Sequence, residues 1–63
     1  MNSDIIKGNW KQISGTLKEN WGKLSDDDLQ EIDGELEVFQ GKMQEKYGMS
    51  KEQAKEEFEQ SLS

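Results

Sequence analysis

Histidine, cysteine, arginine and proline are all absent from the sequence, and the first three absences each remove a class of function. Without cysteine, no disulfide or thiolate metal site can staple the chain, which fits a reducing compartment. Without histidine or cysteine there is no side chain that ordinarily titrates near neutrality, no imidazole to activate a serine and no thiolate nucleophile. Without arginine, and with a net charge of −6, clustered basic side chains of the kind that grip nucleic-acid phosphates are missing. There is no proline and no long linker. No apolar run approaches the ~20 residues needed to cross a bilayer, and the opening "MNSDIIKGNW" lacks the basic and apolar regions of a signal peptide. The expectation is a soluble cytoplasmic protein that is not an enzyme, holds no cofactor or metal, and engages neither nucleic acid nor membrane.

What remains is a short, charged chain. Of 63 residues, 30% are apolar and 35% charged, close to the border between folded and disordered compositions. A chain this short buries only about 60% of the surface its unfolded form exposes. One domain spanning residues 1–63, of marginal stability, is therefore expected. Its charge is uneven: residues 1–24 carry +2, residues 25–37 carry −7 with no base among them, and residues 38–63 carry −1.

Apolar residues Ile6, Trp10, Ile13, Leu17, Trp21 and Leu24 recur every three or four positions, the period of an amphipathic helix. Gly8, Gly15 and Gly22, seven apart, fall opposite that stripe on the face a helix gives to solvent. Shifting the sequence by 26 residues repeats the pattern. Ile6 falls on Ile32, Trp10 on Leu36, Ile13 on Phe39, Leu17 on Met43 and Trp21 on Tyr47, while the glycines fall on Gly34, Gly41 and Gly48. This register indicates an internal duplication, and two copies suit a small paired bundle better than a solenoid. Ser25 before "DDDL" and Ser50 before "KEQA" are N-caps, with Asp28 or Gln53 three positions on to complete a capping box. Asn9 and Asp33 offer similar starts beside Gly8 and Gly34, and Gly22 and Gly48 suit left-handed helix ends.

The spacing thus predicts an all-α bundle of four to five short helices: a turn at about 3 to 7, then helices at about 9 to 22, 26 to 33, 34 to 47 and 51 to 61. Its predicted core is Ile6, Trp10, Ile13, Leu17, Trp21, Leu29, Ile32, Leu36, Phe39, Met43, Tyr47 and Phe58. Gly15 and Gly41 lie inside predicted helices, where glycine costs about 1 kcal/mol relative to alanine. Either they are tolerated on an open face, or they permit close backbone approach or a helix that melts and reforms.

Two stretches invite chemical readings. "SDDDLQEIDGELE" is rich in oxygen ligands, but its spacing is not that of an EF-hand loop, and acids in a first helical turn are favoured by the helix dipole. The same belt, with Asp26, Asp27, Asp28, Glu31 and Glu35, is a candidate docking surface for a basic protein partner. Trp10 and Trp21 beside Lys7, Lys11, Lys18 and Lys23 could form a basic aromatic platform for single-stranded nucleic acid. Both indoles, however, lie on the apolar stripe and read as core anchors.

The blocks "GNWKQISGTLKENWGKLSDDDL" and "GKMQEKYGMSKEQA" resemble the CsbD-like family of small bacterial stress proteins, over nearly the whole chain. The resemblance implies a cytoplasmic protein whose amount rises in general stress, with two crossed helical hairpins broadly similar to SAM-like domains and no catalytic site or cofactor. Ser14 and Thr16 flank Gly15 where the family often has lysine, and Glu35 and Glu37 follow Gly34 where more basic residues are common, which weakens a nucleic-acid role here. The functional expectation is a monomeric hydrophilic protectant. Its alternatives are an adaptor that docks its acidic belt on a protein partner and, third, a weak nucleic-acid-binding module.

Overall fold

The chain winds into five helices in a computed structural model that describes residues 3–62: α1 (Ser3–Gly8), α2 (Trp10–Asn20), α3 (Asp26–Ile32), α4 (Leu36–Tyr47) and α5 (Lys51–Leu62). Helix α4 packs on α5 and α3, while α2 packs on α1, α3 and α5. The apolar stripes converge as their period requires. Leu17, Leu24, Ile32, Phe39, Met43 and Phe58 are fully buried, and Ile6, Trp10, Leu29, Met49 and Ala54 join them. Trp10, Phe58 and Phe39 form an aromatic chain through the core, with ring centroids 6.3 Å and 5.0 Å apart. The Trp10 indole N–H donates to the Leu29 carbonyl at 2.9 Å, which satisfies its one polar atom inside the core.

Four of the expected core residues sit at its margin. Ile13, Trp21, Leu36 and Tyr47 are half-buried and pack against the cluster from outside. Trp21 and Tyr47 meet edge to face at 5.2 Å, each covering the other. Met49, which has no place in either stripe, is buried because the chain turns back at Gly48.

The caps explain most boundaries, and four of them differ from the sequence expectation. Helix α2 stops at Asn20, with Trp21 rather than Gly22 as the closing residue, and its backbone there, at φ −126°, is not left-handed. Asn9 provides no side-chain cap; its amide donates backward to the Ile5 carbonyl at 3.2 Å, prolonging α1. Asp33 closes α3 in the left-handed region at φ 44° instead of starting α4, a conformation its short polar side chain tolerates. The next helix consequently begins after Glu35.

Gly34 continues that turn at φ +80°, and a Cβ there would lie 3.1 Å from Ile6 Cγ2. Glycine is required on two counts, conformation and the approach of α1. Gly48 ends α4 at φ 64°, its N–H bonded to the Gln44 carbonyl at 3.1 Å. Gly15 and Gly41 face open space, with nothing within 4 Å of an added Cβ, so neither marks a close approach of backbones.

Candidate functional site

The acidic belt is the natural place to look for a site, and its first turn is built from the sequence "SDDD". Ser25 is extended, and its hydroxyl accepts from the Asp28 N–H at 3.2 Å. The Asp28 carboxylate accepts from the Ser25 N–H at 3.0 Å, a reciprocal capping box. This pins the Asp28 side chain on the inner side of α3, where only 8% of the residue is exposed.

There it meets two lysines one turn apart on α4. Lys42 lies 3.2 Å from one carboxylate oxygen, and Lys46 bonds the other. Lys42 also bridges to Glu31 at 2.7 Å, and Lys46 donates to the Lys23 carbonyl at 3.2 Å. Beside them Tyr47 accepts the Lys23 N–H at 3.0 Å, and the Lys23 ammonium lies over its ring at 5.1 Å.

The electrostatics follow from this packing. The Lys46 ammonium, foremost, and the Ser25 N–H hold the Asp28 carboxyl well below the usual carboxylate range, against the opposing effect of burial, with Lys42 and the Ser25 hydroxyl adding to the shift. Glu31 and then Asp28 raise the Lys42 ammonium above its ordinary value, again against burial. Both groups therefore keep their charges throughout the neutral range.

Asp28, one of the expected docking residues, thus lies on the inner side of α3 facing α4. Its carboxylate caps its own helix and binds two ammonium groups of the next. Three other acids of the belt also have internal partners, Asp26 with Lys18 at 2.7 Å, Glu31 with Lys42 and Glu35 with Lys7 at 3.1 Å, although these acids remain exposed. Asp27 is exposed and, among the described residues, carries no ion pair. The lysines that organise the belt, Lys42 and Lys46, were not singled out from the sequence. Their i,i+4 spacing is visible there, but which helix they face is a tertiary fact.

The remaining surface offers little chemistry. Trp10 is buried with its N–H bonded and Trp21 is covered by Tyr47, so the basic aromatic platform does not form. A shallow groove of about 360 Å³ between α1, α2 and the end of α5 is lined by uncharged residues, among them Ile5, Ile13 and Leu62. Ile5 is the one large hydrophobic residue left exposed among the described residues. No three acidic side chains among the described residues converge as a metal ligand set. No described helix is long and apolar enough to cross a membrane.

A small all-helical protein with four acids of its belt bound to its own lysines is what fold and site together define. The CsbD-like family model matches residues 4–56, and the chain belongs to this family of small bacterial stress proteins. It is 61% identical to UPF0337 protein PA4738 of Pseudomonas aeruginosa over 90% of this chain and 88% of the relative. It is 57% identical to UPF0337 protein pc0632 of Protochlamydia amoebophila over 92% and 88% of the two chains. Against UPF0337 protein YjbJ of Escherichia coli the identity is 53%, over 90% and 83%. No solved structure matches the chain.

Proposed function

We propose that this chain is a cytoplasmic protectant, a single domain over residues 1–63 that shields other proteins during stress without catalysis. The observation that carries this reading is the surface: charges of both signs cover it, four of the seven belt acids are paired within the molecule, and among the described residues one large hydrophobic residue is exposed. Such a surface is strongly hydrated and offers few sticky patches at high concentration. The test is recovery of a labile enzyme after drying or heating. Recovery above that given by an equal mass of an inert protein supports the reading; equal recovery contradicts it.

A narrower adaptor reading has Asp27 in its favour, a belt acid that is exposed and carries no ion pair among the described residues. Salt-sensitive capture of one dominant basic protein, lost in Asp27→Asn, would favour it, and capture unaffected by that change would remove it. The variant has to spare Asp28, whose loss would disturb the fold itself.

The architecture is part of the same proposal: a duplicated hairpin, folded as two crossed hairpins broadly like a SAM domain. Support comes from register-equivalent positions that meet in space. Trp21 packs on Tyr47, and Ile6 approaches the Gly34 turn that follows its counterpart Ile32.

A further inference from the structure

Among the described residues one non-glycine adopts a left-handed backbone, Asp33 at φ 44° and ψ 42°, and it is also the one aspartate in the sequence followed by glycine. A reactive pair therefore sits at a strained point. In an aspartyl-glycyl pair the amide nitrogen can bond to the carboxyl carbon, its proton leaving with the carboxyl hydroxyl as water, so that a cyclic succinimide closes. Water then reopens either carbonyl of the ring, giving aspartate again or isoaspartate, whose main chain runs through the β-carbon. Glycine favours closure because no side chain shields its nitrogen. The other four aspartates precede Ile5, Asp27, Asp28 and Leu29, whose side chains hinder it.

The folded backbone holds the pair apart. Asp33 is exposed, so water reaches its carboxylate, but closure needs the Gly34 nitrogen on the same side of the Cα–C bond as the Asp33 β-carbon. At ψ 42° tetrahedral geometry puts that nitrogen nearly opposite. To close the ring, the Gly34 peptide must rotate through most of a half-turn. The Asp33 N–H donates to the Leu29 carbonyl at 3.1 Å, beside the Trp10 indole at 2.9 Å, and the Glu35 N–H donates to the Ile32 carbonyl at 2.7 Å. Helix α1 lies against the same turn. Its Ile6 Cγ2 and Lys7 Cγ would stand 3.1 Å and 3.3 Å from a Gly34 Cβ, and Lys7 pairs with Glu35 at 3.1 Å.

We propose that Asp33 is a modification site guarded by α1: it converts to isoaspartate through the succinimide when Ile6 leaves the Gly34 turn, without global unfolding. Isoaspartate adds one carbon to the main chain between α3 and α4. The lengthened turn no longer seats Ile6, so α1 stays displaced. Water is the only co-reactant, and the site is independent of the protectant reading.

The test is ageing of the full chain at physiological temperature, with isoaspartate at residue 33 quantified by electron-transfer fragmentation of its peptide. Isoaspartate forms at least about tenfold more slowly in the native chain than in the same chain in urea. Ile6→Ala raises the native rate at least about fivefold. Met49→Ala truncates a similarly buried side chain beyond the opposite end of α4 and changes the rate less than about twofold. Rates are compared where circular dichroism shows both variants folded; if Ile6→Ala does not fold, the milder Ile6→Val gives the same ordering.

Equal rates in the native and urea-unfolded chains would mean that the turn guards nothing and would overturn the proposal. Equal acceleration by the Ile6 and Met49 variants would do the same, because the reaction would then wait for global unfolding. Isoaspartate formed undiminished in Asp33→Glu would place it at another residue. The separated isoaspartyl chain melts below the parent; identical midpoints would show that the turn absorbs the added carbon and that Ile6 keeps its seat.

Discussion

Helices α2 and α4 carry the same grammar, an apolar stripe with one glycine, Gly15 or Gly41, on the open side, yet they are held very differently. Helix α4 ends in a left-handed glycine and sends Lys42 and Lys46 across to Asp28 on α3. In the 26-residue register the positions of those lysines are Thr16 and Asn20 in α2, and the position of Asp28 is Ala54 in α5. The first half therefore has no buried equivalent of the ionic tie, and its Lys18 pairs with Asp26 at the surface instead. Similar periodicity makes two similar helices; what fastens each one is decided by a few side chains off the stripe.

The comparison can be broken or sharpened by substitution. Phe39→Ala, at the centre of α4, should have the largest effect, about 3–5 kcal/mol, and should abolish a cooperative urea transition in a domain this small. A transition retained near its original midpoint would place the core elsewhere.

Asp28→Asn should be next, because it leaves two ammonium groups facing a neutral amide and breaks the capping box. Its effect is pH-dependent with a definite sign. The Asp28 carboxyl is depressed on folding, so its contribution is complete above the unfolded value of about 3.9 and disappears as pH falls through the lower folded value. The Lys42 ammonium is raised, so its contribution holds below about 10.4 and disappears as pH rises through the higher folded value. Thermal melts should show the gap between the parent and Asp28→Asn constant near neutrality and closing below about pH 4. A gap independent of pH down to pH 2 would contradict this.

Glycine substitutions should split by sign. Gly34→Ala forces a positive φ and crowds Ile6, and should destabilise by roughly 1–3 kcal/mol. Gly15→Ala, on an open helical face, should stabilise by about 1 kcal/mol. Denaturant melts check both, and a destabilising Gly15→Ala would mean that its face is packed. The smallest change should come from Asp26→Asn, which removes one exposed ion pair worth about 0.2–1 kcal/mol and diminishing with added salt.

Much of the fold was legible because it depends on local rules. The period of Trp10, Leu17, Phe39 and Met43 located the helices and their inner faces, and Ser25 with Asp28 announced a helix start that formed as a capping box. The rest depended on what lies across a gap of many residues. Asp28 was legible as a cap and a candidate docking acid, but that it meets Lys42 and Lys46 depends on the approach of α4. Gly22 and Gly48 looked alike in sequence, but Trp21 had a ring to pack against and closed α2 before the glycine was reached. Met49 carried no periodic signal, since its burial follows from the left-handed turn at Gly48.

The inward turn of the acidic belt is tested most directly by following the Asp28 side-chain carboxyl carbon by NMR as the solution is acidified. The expected result is a carboxylate still ionised at pH 3, below the ordinary aspartate value of about 3.9, for as long as the fold persists. A titration midpoint at that ordinary value would mean that Asp28 stands free in solvent, and the tie between α3 and α4 would not exist.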